Sequence, residues 1–176
     1  MDLNLEGQIT MKVMFAFAAV VLFLSSCATQ SPVAATADQA GGNRQLVLAF
    51  HDAVARGDYA QAETMLGPDY KHYVVSADGF KPLSWEAFKR GNSAARKAFP
   101  DWRSTPVRIV ADGMFVSLTM IGTGTHRGSL SGEPVTGRVV TLPIAITHEV
   151  RDGKLVADWE VTNTEPLMRV LSAPMP

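Results

Sequence analysis

Apolar residues are spaced in three ways along this chain. Val13 to Leu24 is an unbroken apolar run; between Leu46 and Phe99 apolar residues return every three or four positions; from Val107 to Val161 they alternate with polar ones. The first spacing is twelve residues, about 18 Å as a helix, against a hydrocarbon core of roughly 30 Å, so it reads as the core of a signal segment rather than a spanning helix. The second predicts helices. Leu46, Phe50, Ala53 and Val54 share one face and stop at Gly57. Asp58 and Gln61 have capping-box spacing, opening a short helix through Ala62, Met65 and Leu66 that Gly67 and Pro68 close. Ser84 is the expected N-cap of a third helix, with Trp85, Phe88, Ala95 and Phe99 on one side and Pro100 after its end.

The alternating spacing predicts sheet. Val107 to Ala111 and Met114 to His126 flank a two-residue Asp112-Gly113 turn, and Arg138 to Val150 and Lys154 to Thr162 flank Asp152-Gly153, so two hairpins are expected, joined by the loop 128–137. Helices followed by antiparallel hairpins indicate an α+β fold with a curved sheet on the helices. Period-two phasing places Met114, Val116, Leu118, Met120, Gly122, Gly124 and His126 on one interior face, and Val140, Leu142, Ile144, Ile146 and His148 on another. Pro143 can mark a bulge that reverses this second phase. On the last strand Leu155, Ala157, Trp159, Val161 and Asn163 share a face. Trp85, Trp102 and Trp159 either fill the core or wall a pocket.

Around this domain the chain is organised for export. Leu24-Ser25-Ser26-Cys27 resembles the lipobox that ends a bacterial lipoprotein signal. By that resemblance Cys27 becomes the lipidated first residue, tying the protein to the membrane through its acyl chains, and Ala28 in place of Asp implies sorting to the outer membrane. Asp2 and Glu6 spoil the positive head that such a signal needs, whereas a start at Met11 leaves Met11-Lys12 as that head. Residues 28–43 are small and polar without an apolar period and read as a flexible tether, leaving one domain over 44–176. Removal of 1–26 reduces 17 acidic and 16 basic residues to 15 of each. That balance, with Lys89-Arg90 and Arg96-Lys97 the only adjacent basic pairs, argues against nucleic acid as a partner. Cys27 is the sole cysteine, so the chain makes no internal disulfide and no thiolate metal site.

Other catalytic patterns are missing. Gly128-Ser-Leu-Ser-Gly132 has Leu130 where a nucleophile elbow needs serine, and no His-Glu-x-x-His or Gly-rich phosphate loop occurs, so no metal and no cofactor is expected.

Several segments together resemble the SnoaL-like polyketide cyclases of the NTF2-like superfamily. They are Phe50-His-Asp-Ala-Val-Ala-Arg-Gly-Asp58, Pro68-Asp-Tyr-Lys-His72, Ala98-Phe-Pro-Asp101, Gly124-Thr-His126, Gly132-Glu-Pro-Val-Thr-Gly-Arg138, Asp152-Gly-Lys154, and Trp159 before a final helix. The resemblance spans Leu46 to Leu171. It implies an NTF2-like cone of curved antiparallel sheet closed by three helices around an apolar pocket, with homodimer formation through the exposed sheet face common among such cones. Its cyclases close a ring by aldol condensation with no cofactor, using a carboxylate or imidazole to move a proton next to a carbonyl.

The family places its acid/base Asp four residues after the last strand's tryptophan, where this chain has Asn163. An amide cannot exchange a proton in the needed range. His126 and Asp101 are the remaining catalytic candidates, with Asn163 orienting the substrate. His72 beside Tyr73 is expected to face the cavity, and Trp85, Met120, Ile146 and Trp159 to line it; His51 and His148 are read as surface or packing residues. Two functions follow: a cofactor-free cyclase or isomerase acting on a small carbonyl compound, or a non-catalytic module holding a small apolar molecule at the outer membrane.

Overall fold

The computed structural model describes residues 32–174 apart from Ser131; the expected start at Met11, the signal segment and Cys27 lie outside the described residues. Helix α1 runs over Pro32–Arg56, so part of the segment read as a flexible tether is helical. Its small residues are mostly alanine, the strongest helix former, and proline is at home in a first turn, so the composition that looks like a linker also favours helix. Asn43 is buried and donates from Nδ2 to Gly113 O at 2.9 Å, tying the helix to a distant hairpin turn. Phe50, Ala53 and Val54 are buried, as their spacing predicts, but the fourth buried position is Val47, with Leu46 only partly buried.

Asp58 caps α2 (Tyr59–Glu63), its carboxylate accepting from Gln61 N at 3.0 Å. Beyond it lies the largest departure from the sequence reading. Strands β1 (Leu66–Ser76) and β2 (Gly79–Leu83) form an antiparallel hairpin where no strand was expected. Gly67-Pro68 reads as a helix stop, yet proline is tolerated near a strand's beginning, and the irregular burial along β1 gives no alternation to detect. Helix α3 (Trp85–Ala98) follows the expected cap, Ser84 Oγ accepting from Ala87 N at 3.2 Å.

Strands β3 (Arg103–Asp112), β4 (Phe115–Thr125), β5 (Val139–Arg151) and β6 (Lys154–Thr162) complete a six-stranded sheet of order β2-β1-β6-β5-β4-β3, and α4 (Glu165–Ser172) ends it. All neighbours are antiparallel except β1 and β6. The Asp152-Gly153 turn has positive φ at both residues, the I′ pattern. The first hairpin turns one residue later than expected, at Gly113-Met114, because Asp112 pairs with Phe115; only Gly113 has positive φ, as in a II′ turn.

Interior phase on β4 and β5 is as expected. Val116, Leu118, Met120, Val140, Leu142, Ile146 and His148 are buried, and Pro143 pairs with Ile121 without a shift. The irregularity falls instead between Glu149 and Val150, where β5 pairs with Leu155 and then with Ala157. That bulge reverses the phase of β6. Asp158 and Glu160 turn inward, and Trp159, expected inside, stacks on Tyr73 at 5.6 Å with the rings 4° from parallel on the opposite face. Val161 is 48% exposed.

A second cluster of Phe99, Val140, Leu142, Leu167 and Leu171 holds α4 against the sheet, and Arg138 donates to the carbonyls of Val170, Ala173 and Pro174 at the helix end. Gly122 and Gly124 belong to the interior face of β4 because Trp102 lies on them. A Cβ on Gly122 would overlap the indole, and one on Gly124 would come within 2.9 Å of it.

Candidate active site in the sheet cavity

Helices α1 and α3 close the concave face of the sheet into a cavity of about 610 Å³, within the range of small-molecule sites. Its walls are mostly apolar, with Phe50, Phe88, Trp102, Leu118, Met120, Ile144 and Ile146 among them. The chemistry gathers on β1 and β6. His72 stands opposite Asp158 in the parallel register, and its Nδ1 lies 2.5 Å from Asp158 Oδ1. Tyr70, two residues earlier on β1, donates its hydroxyl to Asp158 Oδ2. Asp158 is 1% exposed and His72 3%. The other imidazole nitrogen, His72 Nε2, lies 3.9 Å from Glu160 Oε2, too far for a hydrogen bond.

Burial of His72 opposes its charge, but the hydrogen bond and charge of Asp158, with the charge of Glu160, outweigh that and raise its pKa above the ordinary histidine value. Burial and the adjacent Asp158 charge raise the Tyr70 phenol well above its usual range, so it stays a donor.

A second pair of histidines backs this group. His148 on β5 stands opposite Asp158 across the antiparallel pair and turns Nδ1 toward Asp158 Oδ2 at 3.5 Å. Its Nε2 lies 2.8 Å from His51 Nε2 of α1. Among the described residues His148 Nδ1 makes no hydrogen bond, and one of the two facing Nε2 atoms donates to the other. Desolvation, with the neighbouring His148 and His72, lowers His51 to about 3. Desolvation lowers His148 to about 4, the Asp158 charge opposing it and His72 assisting. Both are therefore neutral near pH 7, and His72 is the imidazole of the three that carries charge most readily.

Of the residues singled out from sequence, His72, Met120 and Ile146 line the cavity. The others stand elsewhere. His126 is fully buried against Phe99, its Nδ1 taking a bond from Thr136 N at 3.3 Å, and is outside the cavity wall. Asp101 is exposed; both oxygens accept from Thr125, from its amide and its hydroxyl at 2.7 Å, and these bonds hold the carboxyl below the usual range. Asn163 is exposed and accepts from Glu165 N at 3.0 Å in the turn that leads into α4, whose N-cap is Thr164. Tyr73 and Trp159 face away from the cavity. Trp85 backs its wall, stacked on Phe88 at 5.0 Å, with Nε1 donating to Glu63 at 2.8 Å.

The sequence reading does not single out Tyr70, Asp158 or Glu160, and it reads His51 and His148 as surface or packing residues; the structure places His51, Tyr70, Asp158 and Glu160 in the cavity wall and packs His148 behind Asp158. The carboxylates at 158 and 160 are two apart, as one strand face requires, but the bulge that turns them inward leaves no mark in the residue pattern. Among the described residues no group of three or more His, Cys, Asp or Glu side chains is arranged to hold a metal ion.

The same fold recurs in solved structures. AclR, a candidate hydroxylase from Streptomyces galilaeus, is 29% identical with a TM-score of 0.68, over 76% of this chain and 98% of that one. IdmH, a candidate polyketide cyclase from Streptomyces antibioticus, is 23% identical with a TM-score of 0.65, over 74% and 99%. A SnoaL-like polyketide cyclase from Agrobacterium tumefaciens is 18% identical with a TM-score of 0.58, over 74% and 98%. No curated protein matches the chain. Residues 44–171 match the family of SnoaL-like polyketide cyclases over most of the chain, and the protein belongs to that family, whose fold suits small-molecule binding or ring closure.

Proposed function

We propose that this protein is an envelope lipoprotein whose cavity binds a small carbonyl compound and moves a proton next to the carbonyl, with acid and base both supplied by side chains. The observation that carries the chemistry is the gap between His72 Nε2 and Glu160 Oε2. In its protonated form, which its raised pKa favours, His72 donates Nδ1–H to Asp158 and has Nε2–H free to donate. A carbonyl oxygen seated on Nε2–H brings its α-carbon beside Glu160. Glu160 takes the α-proton while His72 gives Nε2–H to the oxygen, forming a neutral enol. Return of the protons at another carbon isomerises the ligand; attack of the enol on a second carbonyl closes a ring. Tyr70 holds Asp158 Oδ2, so the carboxylate orients His72 rather than meeting substrate.

Deuterium exchange tests this reading. The protein is expected to accelerate exchange of the α-protons of 2-octanone in D₂O, followed by NMR, and His72→Gln and Glu160→Gln each to lose about 10²-fold or more of that acceleration. Binding of the ketone with no acceleration over buffer would instead favour a non-catalytic binder. The observation favouring that second reading is Asn163, exposed where the family's proton carrier is expected.

The anchor rests on Leu24-Ser25-Ser26-Cys27 after the apolar run. Labelled palmitate is expected to appear in the protein in a bacterial host and to vanish with Cys27→Ala; label retained by that variant would remove the anchor assignment.

A further inference from the structure

We infer that Trp102 sets the length of the molecule the cavity accepts: one with its oxygen function at the head and an apolar body of roughly twelve carbons. This rests on the proposed role of His72 and Glu160 for the position of the head.

Glu160 stands opposite Ile146, and Ile146 opposite Leu118, so the row of Glu160 crosses β4 at Leu118; the row of His72 and Asp158 crosses it two residues earlier, at Val116, by way of His148. Four residues beyond Leu118 on the same face is Gly122, where the indole of Trp102 takes the place of a side chain. Four strand residues are about 13 Å, and β6 and β4 lie two strand spacings, about 10 Å, apart, so the stop is roughly 16 Å from the head. Extended chain advances ~1.3 Å per carbon–carbon bond of about 1.5 Å, which gives roughly twelve carbons between head and stop.

Trp102 is held in place through Nε1, which donates to Ser104 Oγ at 3.0 Å, and the neighbouring walls are Pro106, Met120 and Ile144.

The stop is one side chain on a bed without side chains. With a smaller residue at 102, the trough over Gly122 and Gly124 opens toward Phe99, lengthening the cavity.

Isothermal titration of the full-length protein with methyl ketones from 2-hexanone to 2-pentadecanone tests this. Affinity is expected to rise about fourfold per added methylene up to roughly twelve carbons and then stop rising. Trp102→Ala is expected to move the break by about three carbons, and Trp102→Phe, which keeps an aromatic ring in the trough, by less. A break at the same length in the unaltered protein and both variants overturns the inference. No ketone binding by any variant overturns it together with the pocket reading. A break that shifts as expected, in a protein that does not accelerate exchange, supports the role of Trp102 while removing catalysis by His72 and Glu160.

Discussion

Asp158→Ala is expected to destabilise the fold by about 3–5 kcal/mol, the cost of removing one partner from a buried charged group. Asp158 is almost fully buried and is met by Tyr70, His72 and His148, which come from two strands on either side of it. Without the carboxylate, the Tyr70 hydroxyl and His72 Nδ1 lose their partner where water does not reach easily. Asp158→Asn separates charge from shape. It keeps an acceptor of the same size, so a smaller loss is expected, but the His72 pKa should fall because its hydrogen-bonded anion is gone. Urea unfolding gives the first quantity and NMR titration of the His72 ring the second. A loss below 1 kcal/mol for Asp158→Ala, or an unmoved His72 in Asp158→Asn, would show that the carboxylate does not organise this site.

Stability is expected to fall steeply between about pH 6.5 and pH 4. His51 and His148 have folded-state values of about 3 and about 4, below the ordinary histidine value of 6.5. Over that window the unfolded chain takes up protons that the folded chain refuses, so their contribution is complete above the unfolded pKa and is lost as the pH drops. At about 1.4 kcal/mol per unit, each can withdraw roughly 3 kcal/mol by pH 4, and their mutual contact makes the total less than the sum. His72 acts in the opposite sense. Its raised value gives stability that is present below the unfolded pKa and fades as the pH rises through the folded one. The replacement of both neutral histidines, His51→Gln with His148→Gln, should flatten the acid limb. An acid limb of unchanged steepness in that double variant would mean that other groups control it.

Much of the fold is legible in the sequence because local chemistry and tertiary structure agree. Asp58 and Ser84 cap the helices they were expected to cap, Asp152-Gly153 turns the hairpin, and the alternation from Val116 to His126 is the interior face. What was illegible depends on pairing between distant segments. β1 has no clean alternation and is held by β6, some eighty residues away, so nothing local announces it. The site failed for a related reason. Its strand phase was carried straight from Leu155 to Asn163, and one bulge beside Val150 exchanged the faces, putting Asp158 and Glu160 inside and Trp159 outside. The family position of the acid/base residue then pointed at Asn163, which the chain uses in the turn that leads into α4. His51 follows Phe50 on α1 and looks peripheral until β5 brings His148 against it.

The parallel pairing of β1 with β6 also dictates when the site can come into being. His72 and Asp158 are 86 residues apart, and contacts of such separation pay a large loop-closure cost before any reward, so they form late. As the chain leaves the ribosome, the hairpin of β1 and β2 and the sheet of β3 to β5 are made before the strand that joins them. Until Lys154–Thr162 emerges, β1 and β5 each present an open edge, the feature that invites pairing with other chains. A nascent or truncated chain ending before Lys154 thus has two sticky borders and no chemistry, and one strand supplies the seam and the acid/base centre in the same step.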